Sequence, residues 1–460
     1  MKIIIFGTGE IYRKHIKDIL DTEEIIALLD NNKKLWNEKI NGMTVHNPRN
    51  ITDFKYDKII LMSNYFIEMR EQLLELGCKE EKIIRYIEYI NEKDKGEMKV
   101  IFPWKGIDFA KKKCLIITTE LNYNGGSLAA IYTAIALQKN GYETTVATPG
   151  GDEVFVNEMK KKRISFVIYK NLAHAQLEEL YWINNFQYII VNTLQMICCA
   201  LEIAKQRNVF LWLHEPLEVY PIMQYWKENI ENGIKENKLK VFAVSSIARE
   251  NFLNNYSFPL IKILPYGIPD EFLPCTISQN KKIVFATVGS IMKRKGYDIL
   301  IDAIEKLESN KSEQAEFIFI GTGVDDEYGN WIEERVKNIK NIRRINKSTR
   351  KEMMQYYQQI DVLIIPSREE TMSIVATEAM MLGKVCIISN TSGMADYVEN
   401  YSNGLIFSSG NSDELSEKIQ WCINNPELLK KIGKSARTVY ERNFSMNVFA
   451  KNLEKVIADE

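Results

Sequence analysis

The sequence predicts an α/β protein with three doubly wound domains. Short apolar runs rich in Ile, Val and Phe recur along the chain, each with the length of a buried strand. Most are followed by a helix-compatible stretch, and strands alternating with helices imply parallel sheets covered on both faces. The 460 residues leave room for two or three such blocks.

In the first block, residues 1–92, Lys2–Phe6 reads as a strand, Glu10–Leu20 as a helix and Ile25–Leu29 as a second strand. Asp57–Met62 reads as another strand, and Phe66–Leu76 as a helix that Gly77 closes. The charged stretch from Asn91 to Glu97, continuing through Phe102-Pro103-Trp104, reads as a linker over 93–112. A second block, 113–275, opens with the strand Cys114–Thr118, the turn Asn124-Gly125-Gly126-Ser127 and a helix to about Lys139. Thr144–Ala147, Ser165–Tyr169, Tyr188–Asn192, Val209–Leu213 and Lys240–Val244 are its further strands, and Ile263 to Gly267 is its closing strand and turn. The third, 276–443, begins with Lys282–Val288, Gly289-Ser290 and a helix from about Tyr297. Its other strands are Glu316–Ile320, Asp361–Ile365, Val385–Ser389 and Gly404–Phe407. Asp413–Asn424, Pro426–Arg442 and Asn447–Ile457 read as closing helices, the last of them amphipathic.

Composition excludes some functions. A net charge of −1 gives no support to nucleic-acid binding across the whole molecule. No run of about 18 apolar residues is present to make a transmembrane helix, and the apolar start Ile3–Phe6 is too short for a signal peptide. The seven cysteines (78, 114, 198, 199, 275, 386 and 422) form no Cys-x-x-Cys pair and mostly lie in apolar runs, which predicts reduced core thiols and a cytoplasmic location. His15, His46, His174 and His214 are scattered without ligand spacing, and no Asp-x-Asp pair occurs, so no metal and no other cofactor is expected.

The most informative stretch runs from Ile364 to Lys384. Here a strand ends at Pro366-Ser367, and Glu370 and Glu378 follow, eight residues apart. A strand–turn–helix unit presents backbone N–H groups and a positive dipole end to an anion. With a helix beginning near Thr371, Glu370 stands at its mouth and Glu378 about two turns inside. One carboxylate can then meet a sugar ring and the other a ribose, an arrangement suited to a nucleotide-sugar.

The order of motifs from Cys114 onward resembles family 4 of the retaining glycosyltransferases, which have the GT-B fold. The resemblance covers about three quarters of the chain. It rests on Gly125-Gly126 after a strand, on His214 in Leu213-His214-Glu215-Pro216, and on the turn Leu264-Pro265-Tyr266-Gly267. The segment from Gly289 to Lys295-Gly296 and the Glu370/Glu378 pair complete it. The fold it implies is GT-B, two facing Rossmann-like domains, preceded here by a third small Rossmann-like domain. The last helix, 444–460, would return to the first of the pair.

The resemblance implies a role for each position. Lys295 would face the donor diphosphate, where cations stabilise the charge that develops as the glycosidic bond breaks. Ser290 stands where the family usually has arginine, and Arg294 is expected to substitute for it. His214 would contact the donor sugar, Glu370 its hydroxyls, and Glu378 the ribose. Thr371-Met372-Ser373 replaces the family's glycine and aromatic after the first glutamate, and Glu369 competes with Glu370 for the role without having the spacing. Gly125, Gly126 and Gly289 would let backbone approach the ligand, and Gly321 and Ile345 would line the nucleotide pocket. Blander readings stand beside these: a solvated basic turn at Lys293–Lys295, ordinary strand–helix turns at the glycines, and a structural histidine at a strand end.

The first block carries Gly7-Thr8-Gly9-Glu10-Ile11-Tyr12 with Asp30 after its second strand, a dinucleotide fingerprint except that Tyr12 replaces the third glycine. The segment, including Leu29-Asp30-Asn31-Asn32, resembles small Rossmann-like domains attached to surface-sugar enzymes. Nucleotide binding and nucleotide-sugar binding stay open, with a structural or partner role preferred.

The expected activity is retaining transfer of a sugar from a nucleotide-diphosphate sugar to a saccharide or lipid-linked acceptor in surface polysaccharide synthesis. An NAD-dependent oxidoreductase or epimerase is one alternative, but no Tyr/Lys catalytic pair is evident. A non-catalytic partner subunit is another. The basic clusters Lys111–Lys113 and Lys160–Arg163 allow peripheral contact with the inner face of the membrane, against the commoner reading of solvated charge.

Overall fold

Three sheets organise the chain in the computed structural model, which describes residues 1–20, 23–93, 96–101, 112–258, 261–271, 282–323, 327–346 and 350–458. The residues fall into two units. One comprises Met1–Met98, Tyr169–Ala175 and Pro221–Lys227, and the other Lys99–Ile168, Gln176–Tyr220 and Glu228–Glu460.

In the first unit the sheet order is Lys39–Ile40, Met43–His46, Glu24–Leu29, Lys2–Phe6, Lys58–Leu61, Ile83–Arg85. All neighbours are parallel except the first two, which form a hairpin across Asn41-Gly42. Both turn residues have positive φ (50° and 80°), the pairing that an Asn-Gly hairpin turn requires. This hairpin is not among the elements expected above. Ile3, Ile4, Ile5 and Phe6 are fully buried, so the central strand is apolar on both faces. The helix expected over Glu10–Leu20 is split into Glu10–His15 and Lys17–Leu20, where the ladder tightens to a bond from Ile19 N to Ile16 O.

The second unit contains two sheets. In the first lobe the order is Lys262–Ile263, Leu239–Ala243, Val209–Leu213, Tyr188–Val191, Lys113–Ile117, Glu143–Thr148, Ser165–Ile168, Lys99–Ile101. The last strand is antiparallel and lies within the stretch expected as linker, because Val100 and Ile101 complete the sheet edge beside Val167 and Phe166. The second lobe is wholly parallel, in the order Ile342–Ile345, Ala315–Ile320, Ile283–Val288, Val362–Ile365, Val385–Ser389, Leu405–Phe407. Its core packs Phe285 on Phe317 with centroids 5.1 Å apart, among Leu300, Ile304, Ile364 and Ile387. Each such side chain contributes about 1.5–3 kcal/mol on burial. Helix Met446–Ala458 packs back on helix Gly125–Lys139 of the first lobe: Asn140 Nδ2 donates to Ala450 O (2.8 Å), and Phe449 stacks on Trp212.

Helix Ile374–Met381 starts three residues later than expected, because Ser373 caps it by accepting from Ala376 N. Glu378 therefore lies just over one turn inside. Phe102-Pro103-Trp104, Lys111, Cys275 and the boundary placed at 275/276 lie outside the described residues. Among the described residues no disulfide joins the cysteines, and no helix is long and apolar enough to cross a membrane.

Candidate active site

Lys295 is positioned by a glycine contact. The short turn Lys293–Lys295 ends at Gly296, whose φ is 69°. A Cβ there would sit 2.0 Å from Pro366 O, so only glycine lets this turn lie against the end of strand Val362–Ile365. Lys295 Nζ then forms an ion pair with Glu370, whose side chain is almost wholly buried. The backbone of Glu370 is pinned on both sides, by Glu370 N to Thr391 O (3.1 Å) and Gly393 N to Glu370 O (2.8 Å). Gly289 lies alongside, with Lys295 Cε 3.9 Å from where its Cβ would be.

Gly289, Gly321 and Ile345 end three neighbouring parallel strands. Gly321 has φ 151°, and a Cβ on it would meet Gly289 O at 1.8 Å, which fixes the spacing of the two strand ends. Ile345 O accepts from Gly321 N (2.9 Å) and from Arg344 Nη1 (2.6 Å). Ser290 is exposed. Arg294 lies at the seam between the lobes. Its Nη1 donates to Glu369 O (3.1 Å), and its Nε lies 3.3 Å from Glu218 Oε1 in the first lobe.

Glu378 is buried, and both of its oxygens are engaged. Arg350 pairs with one, and Tyr357 OH donates to the other at 2.7 Å. Burial pushes its carboxyl pKa up, and Arg350 and Tyr357 oppose that rise. Neither partner was singled out in the sequence, where both sit in a polar helix remote from Glu378.

In the first lobe, Gly125 and Gly126 open helix Gly125–Lys139. Asn124 caps it through Ser127 N (2.8 Å), and Asn192 Nδ2 holds Gly126 O (2.9 Å). His214 follows the fully buried strand Val209–Leu213. The residue as a whole is only partly covered, yet its Nε2 is sealed from solvent and has no hydrogen-bond partner among the described residues. Burial lowers its pKa to about 3, so the ring is neutral at physiological pH. Glu215, overlooked in the sequence, braces this corner: it accepts from Thr193 Oγ1 (2.6 Å), Leu194 N (2.6 Å) and His214 N (2.9 Å). Burial raises its pKa.

The lobes meet at residues 369–371. Thr371 Oγ1 donates to His214 O at 2.8 Å. Glu369 Oε1 accepts from Leu217 N (2.8 Å) and Asn251 Nδ2 (2.6 Å). Ile374 approaches Gly125, and Gly393 is wedged between Thr371 O and Ser245. The structure thus brings His214, Glu370, Lys295, Gly289, Thr371 and Ser373 into one region, with Met372 buried in the same turn. On the second-lobe side of this region lies a cavity of about 20 Å³, lined in part by Thr287, Lys295, Tyr297, Glu370 and Ser373. That is room for about one water molecule.

Residues 274–439 match the family described as "Glycosyl transferases group 1", and residues 1–84 match "C2185-like, N-terminal". The first of these matches falls on the second lobe. An uncharacterized glycosyltransferase of Methanocaldococcus jannaschii is 31% identical over 170 residues, 37% of this chain and 46% of that protein. The capsular polysaccharide biosynthesis glycosyltransferase CapM of Staphylococcus aureus is 26% identical over 230 residues, 49% and 56% of the two chains. The matched region thus spans about half the length of these curated relatives. Among solved structures, that of Anabaena HepE in complex with UDP and glucose has a TM-score of 0.64 and 18% identity, covering 76% of this chain and all of that one. The two lobes therefore have the GT-B fold, and the lobe similar to group 1 glycosyl transferases is the one that carries Lys295, Glu370 and Glu378.

Proposed function

We propose that the chain is a retaining glycosyltransferase that moves a sugar from a nucleotide diphosphate to an acceptor hydroxyl without a bound metal. One observation carries this reading: His214 Nε2 is buried and has no hydrogen-bond partner among the described residues, beside the turn that holds Glu370, the ion-pair partner of Lys295. An unpaired buried polar atom costs about 1–3 kcal/mol unless a ligand supplies the partner. A neutral imidazole is suited to meet a sugar hydroxyl there.

The remaining residues then take definite tasks. Glu370 holds hydroxyls of the transferred sugar. Lys295, now paired with Glu370, faces the diphosphate when the donor is bound. As the bond from the anomeric carbon to the diphosphate oxygen breaks, negative charge grows on that oxygen, and a fixed cation stabilises the transition state more than the ground state. The acceptor oxygen bonds to the anomeric carbon on the same face, and its proton passes to the departing diphosphate, so no protein base is needed. Glu378 keeps Arg350 and Tyr357, and ribose hydroxyls share its oxygens, since a carboxylate has about four acceptor sites.

HepE was crystallised with UDP and glucose, and CapM is named for capsular polysaccharide synthesis; these support a nucleotide-sugar donor and a saccharide or lipid-linked acceptor. The reduced cysteines expected from the sequence and the basic cluster Lys160–Arg163 support a cytoplasmic site of action with peripheral contact at the inner face of the membrane. The test is to screen UDP-, GDP-, ADP- and dTDP-sugars by thermal shift, then assay transfer with and without EDTA and read the anomeric configuration of the product by NMR. Retention in the presence of EDTA is expected. An inverted product, or activity that chelation abolishes and manganese restores, rejects the mechanism.

A further inference from the structure

We infer that the first unit carries a second ligand site, a cleft that takes the uncharged, hydroxyl-rich ring of a saccharide. The cleft, about 570 Å³ in volume, lies at the strand ends of Lys2–Phe6, Glu24–Leu29 and Lys58–Leu61. Strand Lys2–Phe6 pairs with Glu24–Leu29 on one side and Lys58–Leu61 on the other, so the connections diverge to either side of it. That crevice is where open α/β sheets bind ligands, and its volume suits a small molecule.

The lining decides the chemistry. Among the described residues around the cleft there is no lysine, arginine or histidine, while Glu10, Asp30 and Glu68 are acidic. A free diphosphate would meet three carboxylates and no cation. Asp30, the residue of the dinucleotide fingerprint, is already committed: one oxygen accepts from Thr8 N (2.8 Å) and Thr8 Oγ1 (2.6 Å), the other from Asn32 N (2.8 Å). Three of its roughly four acceptor positions are filled, against two for Glu378, so its main task is to shape the turn. Glu10 and Glu68 have no side-chain partner among the described residues, and Tyr65 offers an aromatic ring that is 71% exposed. An aromatic face for the C–H side of a pyranose, with carboxylates and the Asn64 amide for its hydroxyls, is a saccharide-binding set. This reading is independent of the transfer chemistry in the other unit.

The source is either a free glycan or the sugar of a nucleotide-sugar, and one experiment separates them. Saturation-transfer NMR on the full chain would use methyl glucoside, methyl galactoside, UDP-glucose, UDP and NAD, with Tyr65→Ala and Gly9→Leu as variants. A Cβ at Gly9 meets nothing within 4 Å, and Gly9 lines the cleft, so a leucine side chain has open space to obstruct it. Glycoside signal that weakens about tenfold in both variants, the scale of one lost aromatic contact, is the expected result for a free glycan. The same loss for UDP-glucose, with glycosides silent and UDP unaffected, assigns the nucleotide-sugar's sugar to the cleft. Glu370→Gln should leave these Tyr65-dependent signals intact. If UDP or NAD binding depends on Tyr65, or no sugar signal does, the assignment is overturned.

Discussion

Thr371 Oγ1 donates a 2.8 Å hydrogen bond to the backbone carbonyl of His214, 157 residues earlier in the chain. Through that bond the turn carrying Glu370 in one lobe is held against the strand end that carries the unpaired imidazole in the other. Each half of the site is thus placed by its own sheet, and the pair is brought into register by a side chain next to the glutamate.

Lys295→Ala and Glu370→Gln are each expected to lower kcat for transfer by about 100-fold or more, the scale of losing one transition-state contact. The check is steady-state kinetics on variants whose circular dichroism matches the parent. Near-normal turnover in a folded Lys295→Ala protein would remove the diphosphate role.

Glu369→Ala deletes the shared acceptor of Leu217 N and Asn251 Nδ2. It should cost about 1–3 kcal/mol, visible as a lower Tm and faster proteolysis between the lobes. Glu369→Gln keeps an acceptor oxygen and should recover part of the loss. Equal Tm values for all three proteins would show that the latch carries no weight.

Arg350→Ala leaves Glu378 buried without its counter-ion and should destabilise by about 3–5 kcal/mol. The sign of the pH dependence follows from the raised pKa of Glu378, whose rise Arg350 restrains. The variant's folded state would hold a proton that the unfolded state releases above about pH 4.5, so its deficit should grow as pH rises. Thermal melts at pH 5 and pH 8, with Glu378→Gln added as a partial rescue, test this.

His214 titrates at about 3 when folded and near 6.5 when unfolded. Between those values the unfolded state binds more protons, so this group costs stability as pH falls below about 6.5. Replacing it by asparagine should flatten the acid limb of the stability curve, by about 2 kcal/mol between pH 6.5 and 5. Denaturant melts at those two pH values give the difference; parallel slopes in parent and variant would contradict a neutral buried ring.

Much of the architecture was legible because strand identity is a local property. Ile3–Phe6, Val209–Leu213 and Val362–Ile365 are continuous apolar runs, which only a doubly covered sheet can bury. The Glu370/Glu378 spacing and the glycines at 289, 296 and 321 were visible for the same reason: turns need particular residues at particular places. The strand Lys99–Ile101 was missed, because an edge strand inside a charged stretch is defined by its partner, Ser165–Ile168.

Period, capping and backbone sterics dictate the alternation of strand and helix, the strand-end turns and the residue types placed on them, and all three are local properties of the chain. Which side chains pair with which came from the packing of the folded chain. Glu369, a competitor of Glu370 by sequence, became the acceptor for the opposite lobe, Arg294 turned toward Glu218, and Glu378 was claimed by Arg350 and Tyr357. Those choices depend on burial and on distances between segments far apart in the chain, and a buried charge takes whichever partner the packing brings within hydrogen-bond reach.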